Sequence, residues 1–267
     1  MRRIISIAFI LLVTGPFVLA ENFPGVKQVL VLPIVVGGEP TPHEVYTSVI
    51  DMVSTSGPAY FKFTGFSNVG SPLSVYCDFM GPLSNMSFGQ GGSGWEGRWE
   101  HYICGQFDPI MDNGWILVEL WDANSIQVTN KIIHVRYVNN FPKLQNAMIV
   151  PAIKSTRRFI APITNDYKND GWDVLTSYAI VNPSEDQTAV ISLDAGRRKP
   201  DKPDPPECRR TISLPPRHRI AQFINELFPT CDTGGAMKIE SNIPIAVSAV
   251  EVYLPSYEFI ALPVDTY

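Results

Sequence analysis

The chain has little of what usually does chemistry. Among 267 residues there are four histidines and four cysteines, and His43, His101, His134 and His218 fall at no spacing that would hold zinc from one short motif. An Asp-rich calcium loop, a Cys-x-x-Cys pair and a Gly-x-Ser-x-Gly elbow are all missing. Ser93, between Gly92 and Gly94, lacks the strand-turn-helix setting that would expose its hydroxyl. The sequence therefore predicts no metal, no cofactor and no catalytic residue. It is also short of positive charge, with 21 Lys and Arg against 26 Asp and Glu for a net charge of −5, which argues against a nucleic-acid partner. No apolar run approaches the roughly 20 residues that cross a bilayer as a helix.

The amino terminus reads as an address. Arg2 and Arg3 precede an apolar run from Ile4 to Val13, a break at Gly15-Pro16, and Val18-Leu19-Ala20, which puts slim residues at the −3 and −1 positions of a cleavage site. Residues 1–20 are expected to be a secretory signal peptide, and the mature chain is expected to be secreted or periplasmic, beginning near Glu21. Loss of the two arginines takes the net charge from −5 to −7.

The mature sequence says much the same thing twice. Leu30-Val31-Leu32-Pro33 is followed by Tyr46-Thr47-Ser48-Val49, and Phe159-Ile160-Ala161-Pro162 by Leu175-Thr176-Ser177-Tyr178. Pro33 to Pro162 and Thr47 to Thr176 are the same step of 129. Gly114-Trp115-Ile116 and Gly235-Ala236-Met237 each open an alternating run, and each half closes on an apolar-Pro signature, Val150-Pro151 and Leu262-Pro263. A period this long implies two copies of a whole domain, at residues 21–153 and 154–267, rather than a solenoid.

Strand signals dominate both copies. Val29 to Val36, Val45 to Val53 and Ala59 to Phe66 are β-branched, aromatic or alternating, and Ile116 to Trp121 and Val128 to Tyr137 supply the last two strands of the first copy. In the second, Leu175 to Val181 runs into an Asn182-Pro183-Ser184 turn, followed by strands at Thr188 to Leu193, Glu207 to Leu214, Pro244 to Tyr253 and Phe259 to Val264. Ile220, Phe223, Ile224 and Leu227 recur at helical spacing, so Arg219 to Phe228 is expected to form the one short helix, a lid over the open end of its domain. The fold class is all-β: two tandem antiparallel β-sandwich domains of immunoglobulin-like kind. Four cysteines allow three pairings. The repeat selects Cys77 with Cys104 and Cys208 with Cys231, one structural bridge per copy.

The second half, through its Thr176-Ser177 strand, Asn182-Pro183-Ser184 turn, Leu214-Pro215-Pro216 step, Ile243-Pro244-Ile245 strand and Ala261-Leu262-Pro263-Val264 close, resembles a repeated β-sandwich module of uncharacterised exported bacterial proteins. The resemblance covers residues 158–265 and extends more loosely to the first copy. It implies fold, export and a bacterial source.

Three segments invite a functional reading. Gly89 to Pro109 interleaves Trp95, Trp99, Tyr102 and Phe107 with Glu96, Arg98, Glu100 and His101, and aromatics beside carboxylates are suited to the apolar face and hydroxyls of a sugar. The bland alternative is a loop folded over its own sheet edge and pinned by Cys104. Glu96 and Glu100, or Glu119 with Asp122, could supply the carboxylate pair of a glycosidase, although pairs this close in sequence are common by chance. Eight basic residues from Arg197 to Arg219 suggest an anionic partner, or simply an edge strand guarded by charge. Asn85-Met86-Ser87 fits a glycosylation acceptor. The composite expectation is a non-catalytic interaction protein of the cell surface that binds a protein or glycan through loops and sheet edges. The alternative is a carbohydrate-binding accessory protein or glycoside hydrolase using Trp95, Glu96, Trp99, Glu100 and Tyr102.

Overall fold

The computed structural model of the chain describes residues 27–36, 38–41, 44–54, 59–80, 85–90, 113–121, 126–139, 141–167, 173–197, 208–254 and 258–267. They are nearly all β, in antiparallel sheets with one short helix. The expected signal peptide and Cys104 lie outside these residues, as do Trp95, Glu96, Trp99, Glu100 and Tyr102.

The amino-terminal half has two sheets. In the first, β1 (Lys27–Val36), β7 (Asn113–Trp121), β4 (Ala59–Ser67) and β5 (Pro72–Met80) lie side by side in that order. In the second, β3 (Glu44–Ser54) has β8 (Ile126–Val138) and then β9 (Phe141–Pro151) on one side, and pairs also with β2 (Gly38–Thr41) and β6 (Asn85–Gln90). Period-two alternation sends Leu30, Phe61, Phe63, Val118 and Leu120 from the first sheet and Ile50, Met52 and Val128 from the second into one buried cluster. Each such side chain stabilises the fold by about 1.5–3 kcal/mol relative to exposure.

The carboxy-terminal half repeats this plan strand for strand. β10 (Thr156–Ile163), the first part of β16 (Thr233–Leu254), β13 (Ala189–Arg197) and β14 (Arg209–Leu214) match β1, β7, β4 and β5. β12 (Asp173–Val181), the second part of β16 and β17 (Glu258–Leu262) match β3, β8 and β9, while β11 (Asn165–Tyr167) and β15 (Arg219–Phe223) take the places of β2 and β6. One strand of 22 residues here does the work of two. A shared core of Phe159, Tyr178, Ile180, Ile191, Leu193, Ile239, Val247 and their neighbours lies between. Cys208 and Cys231 form the expected disulfide, with Cα atoms 5.2 Å apart, and closing a loop of this size stabilises the domain by about 3 kcal/mol.

Between β1 and β3 the equivalence departs from the simple 129-residue step. Leu32 pairs with Ile116 as Ala161 pairs with Met237, but Val35 pairs with Gly114 as Ile163 pairs with Gly235. β1 carries a bulge between Leu32 and Val35, and beyond it the step is 128. The counterpart of Thr176 is therefore Ser48, not Thr47. Ser48 Oγ donates to the Val36 carbonyl (2.8 Å) and accepts its N–H (3.0 Å). Thr176 Oγ1 does the same with Thr164, at 2.8 and 2.7 Å.

Two local expectations are corrected. Arg219 to Phe223 is strand β15, hydrogen-bonded along Ser177–Val181, and only α1 (Ile224–Leu227) is helical. An unpaired edge of β12 outweighs a helical pattern too short to stand alone. The Phe223 N–H donates to the Glu226 carboxylate at the start of the turn (2.8 Å), and Ile224, Leu227 and Phe228 enter the core. The first half also has a further strand after β8, since β9 pairs with it from Val138 opposite Phe141 to Thr129 opposite Pro151.

The halves meet over two apolar clusters. Val31, Phe66, Trp115 and Leu117 on the outer face of the first sheet pack against Val181 and Ala246. Ile132, Met148 and Val150 pack against Val250, Val252, Phe223 and Phe259. Between them lies Arg219, whose guanidinium donates to the carbonyls of Pro33 (3.1 Å) and Gly114 and to Asn113 Oδ1. Burial lowers its pKa to about 10, so it stays charged at neutral pH. Arg219→Met strands three acceptors in a dry interface, and equilibrium unfolding in urea should show a loss of about 3 kcal/mol.

Candidate functional site

Beside this interface an open groove of about 330 Å³ separates the outer face of the first sheet from the turns of the carboxy-terminal half. One wall is Lys27 and Val29 of β1 with Leu117 and Glu119 of β7. The other is the Pro183 to Gln187 segment, Arg217, and Ile243-Pro244. The sheet register explains the first wall. Lys27, Val29 and Val31 alternate onto one face, opposite Trp121, Glu119 and Leu117.

The opposite wall is a set of tightly specified turns. Asn182 is fully buried, and its side-chain amide donates to the carbonyls of Gln187, Leu214 and Pro215 at 2.8, 2.9 and 3.0 Å while its Oδ1 accepts the Ser184 N–H. This is the backbone-bonding role that the Asn-Pro-Ser turn predicts. Arg217 occupies the left-handed region at φ 61°, a conformation that costs of order 1–3 kcal/mol and persists only where neighbours hold it. They do so from several sides. Its N–H donates to the Ser184 carbonyl, its carbonyl accepts Trp115 Nε1 (3.1 Å), and its guanidinium pairs with Glu185 and lies 4.9 Å from the Phe66 ring centroid. Gly70, at φ 76°, brings the β4–β5 turn so close that a Cβ would sit 3.0–3.1 Å from Arg217 and His218 atoms.

Charge gathers at the groove in two groups, one of three residues and one of two. Glu119 is only 8 % exposed and bonds Lys27 through one oxygen and Lys62 through the other, the latter at 3.6 Å. Glu185 and Arg217 form the second group. With apolar ground between them at Val29, Leu117, Pro183, Ile243 and Pro244, the groove offers hydrogen-bonding ends and a dry middle. Among the described residues no group of three or more His, Cys, Asp and Glu could hold a metal.

The basic side chains of this segment that are described go to separate places. Arg209 pairs with Asp194 (3.4 Å), Arg210 donates to the Leu227 carbonyl at the end of α1 (3.1 Å), Arg217 is at the groove and Arg219 is buried. Residues 198–207, with Arg198, Lys199 and Lys202, lie outside the described residues. Asn85 of the glycosylation sequence is exposed on β6 opposite Val53, and the Ser87 hydroxyl donates to Asp51. No single sequence motif spans the groove, because its residues come from five separated stretches; Glu119 and the Asn182-Pro183-Ser184 turn stood out in the sequence, but for other roles. Comparison with family models, with curated proteins and with solved structures finds no match for this chain.

One titratable group sits at the second apolar contact between the halves. His134 is 1 % exposed, stacks on Tyr46 at 4.5 Å with planes 6° apart, and has Phe259 of the other half at its edge. Neither ring nitrogen has a protein partner. Burial lowers its pKa from 6.5, with Glu44 opposing and Arg136 reinforcing the shift. The folded protein therefore holds His134 neutral while the unfolded chain takes up a proton first, and stability falls as pH drops below about 6.5. His134→Phe should flatten this loss. Melting temperatures of both proteins from about pH 7.5 to 5 should diverge toward the acid end.

Proposed function

We propose that the protein is a non-catalytic interaction protein of the cell exterior, secreted or periplasmic after removal of residues 1–20, that binds a protein or glycan partner through its loops and sheet edges. In this reading the halves are two immunoglobulin-like β-sandwich domains, residues 21–153 and 154–267, fused by duplication. Their shared strand order and their two cores, each between a pair of sheets, support it. The Cys208–Cys231 disulfide fits an oxidising compartment. No helix among the described residues is long and apolar enough to cross a membrane.

The observation that carries the reading is the groove itself. It is open, apolar in the middle and charged at its ends, and its carboxylates are committed to lysine or arginine rather than facing each other across a reaction centre. Such a surface recognises rather than converts. A rigid rim favours recognition too, since less order must be imposed on binding.

A glycan array and a pull-down with outer-surface proteins, run on mature protein, should return a bound partner. A reducing-sugar assay on any glycan found should show no turnover. Turnover abolished by Glu96→Gln would instead establish the hydrolase alternative, and binding abolished by Trp95→Ala and Trp99→Ala would move the contact to the aromatic loop.

A further inference from the structure

The strand order shared by the two halves allows one part of the groove to be compared with its counterpart. At the end of the chain β18 (Asp265–Thr266) adds to the outer edge of β10, with Asp265 opposite Ile160 and Thr266 opposite Phe159. One residue further, that register places Tyr267 beside Arg158. The Tyr267 hydroxyl donates to Glu240 (3.0 Å) and the Arg158 guanidinium lies 5.9 Å from the Tyr267 ring centroid. A short extended segment ending in tyrosine thus covers the edge.

The same edge in the amino-terminal half is only begun. Ile153 is the counterpart of Asp265 and exchanges both backbone bonds with Val31, at 2.8 and 2.9 Å. The chain then leaves to start β10 at Thr156, and among the described residues none pairs with this edge of β1 past Ile153 as Thr266 and Tyr267 follow Asp265 along β10. Because Val31 spends its N–H and C=O on Ile153, the alternation of an antiparallel ladder turns the N–H and C=O of Val29 the same way, outward from β7. Val29 is 40 % exposed, and Lys27 and Val29 both line the groove. Opposite Val29 stands Glu119, as Glu240 stands opposite Arg158. This place, open among the described residues, has the same carboxylate as the filled one.

We propose that the groove binds an extended polypeptide segment of a partner protein, which adds as a short antiparallel strand to β1 beyond Ile153 and directs a tyrosine hydroxyl to Glu119. This rests on the reading of the chain as an interaction protein and goes further by naming the edge, the bonds and the class of partner. Two backbone bonds to Val29 supply register, and the apolar ground of Leu117, Ile243 and Pro244 receives the aromatic ring. Lys27, paired with Glu119 and 5.7 Å from the Trp121 ring centroid, has further N–H donors for an acidic residue or a terminal carboxylate of the segment.

The test uses the synthetic peptide acetyl-Thr-Tyr-Ser-Asp, whose Thr and Tyr correspond to Thr266 and Tyr267, which begins beyond the place Ile153 fills and brings its Asp opposite Lys27, titrated into full-length mature protein with amide chemical shifts as the readout. It should bind saturably and shift the resonances of Val29 and Glu119. Methylating the tyrosine backbone nitrogen should weaken binding at least about tenfold, the cost expected of losing an edge hydrogen bond and its approach. Val29→Pro, which removes an outward N–H without touching the ladder to β7, should do the same, while Val29→Thr should bind as wild type. The methylated peptide keeps the test valid if Val29→Pro does not fold. Absence of binding at millimolar peptide, or binding indifferent to methylation, overturns the proposal, as does binding that survives Val29→Pro by exchange with the native tail on β10. If the peptide fails while the glycan array or pull-down returns a partner, the edge site alone is wrong. If neither returns a binder, the interaction reading falls with it.

Discussion

The central constraint of this structure is that one sheet is buried on both faces. β12 and the second part of β16 turn Tyr178, Ile180, Val247 and Ala249 into their own core and Val181, Ala246, Val250 and Val252 onto the other half. A polar group entering a sheet so enclosed gains most when main-chain groups hold it, since burial without a partner is costly. Asn182, Thr176 and Arg219 are the result. Each is buried and bonded chiefly to main-chain carbonyls, and each sits where a strand ends or a neighbouring strand begins.

Much of the strand content was legible, because period-two alternation in β3, β4 and β8 and the Asn182 turn are local signals with local causes. The enclosed sheet was legible too in a weaker sense, since Ile245 to Val250 is apolar on both alternations except at Ser248, a pattern that suits a strand covered on both faces. What could not be read is what depends on partners distant in sequence. Ile220, Phe223, Ile224 and Leu227 have helical spacing, yet the edge of β12 takes the first of them as a strand. β9 is exposed through much of its length, at Phe141 and Leu144 among others, and so lacks the buried alternation that would have announced it. The groove combines residues more than 200 positions apart, from Lys27 to Pro244, and no window of sequence contains it.

The two halves follow one plan but are used differently. The carboxy-terminal half offers the outer face of its enclosed sheet, while the amino-terminal half offers the outer face of its first sheet and the far end of its second. This is a heterologous contact, in which equivalent surfaces do not meet each other. The differences that matter are small: the bulge in β1, and the tail that covers β10 but has no counterpart past Ile153 among the described residues.

The bulge between Leu32 and Val35 has a consequence for how such a chain can be cut. It is the Pro33 carbonyl, within the bulged stretch, that accepts from Arg219, so the irregularity in one copy is the socket for the other. Severed at Lys154, the carboxy-terminal piece would carry Val250, Val252, Phe223 and Phe259 into water beside an unmatched guanidinium. An adhesive apolar face of that kind gathers neighbours, and the fragment made alone would come out of a cell as aggregate rather than as a working domain.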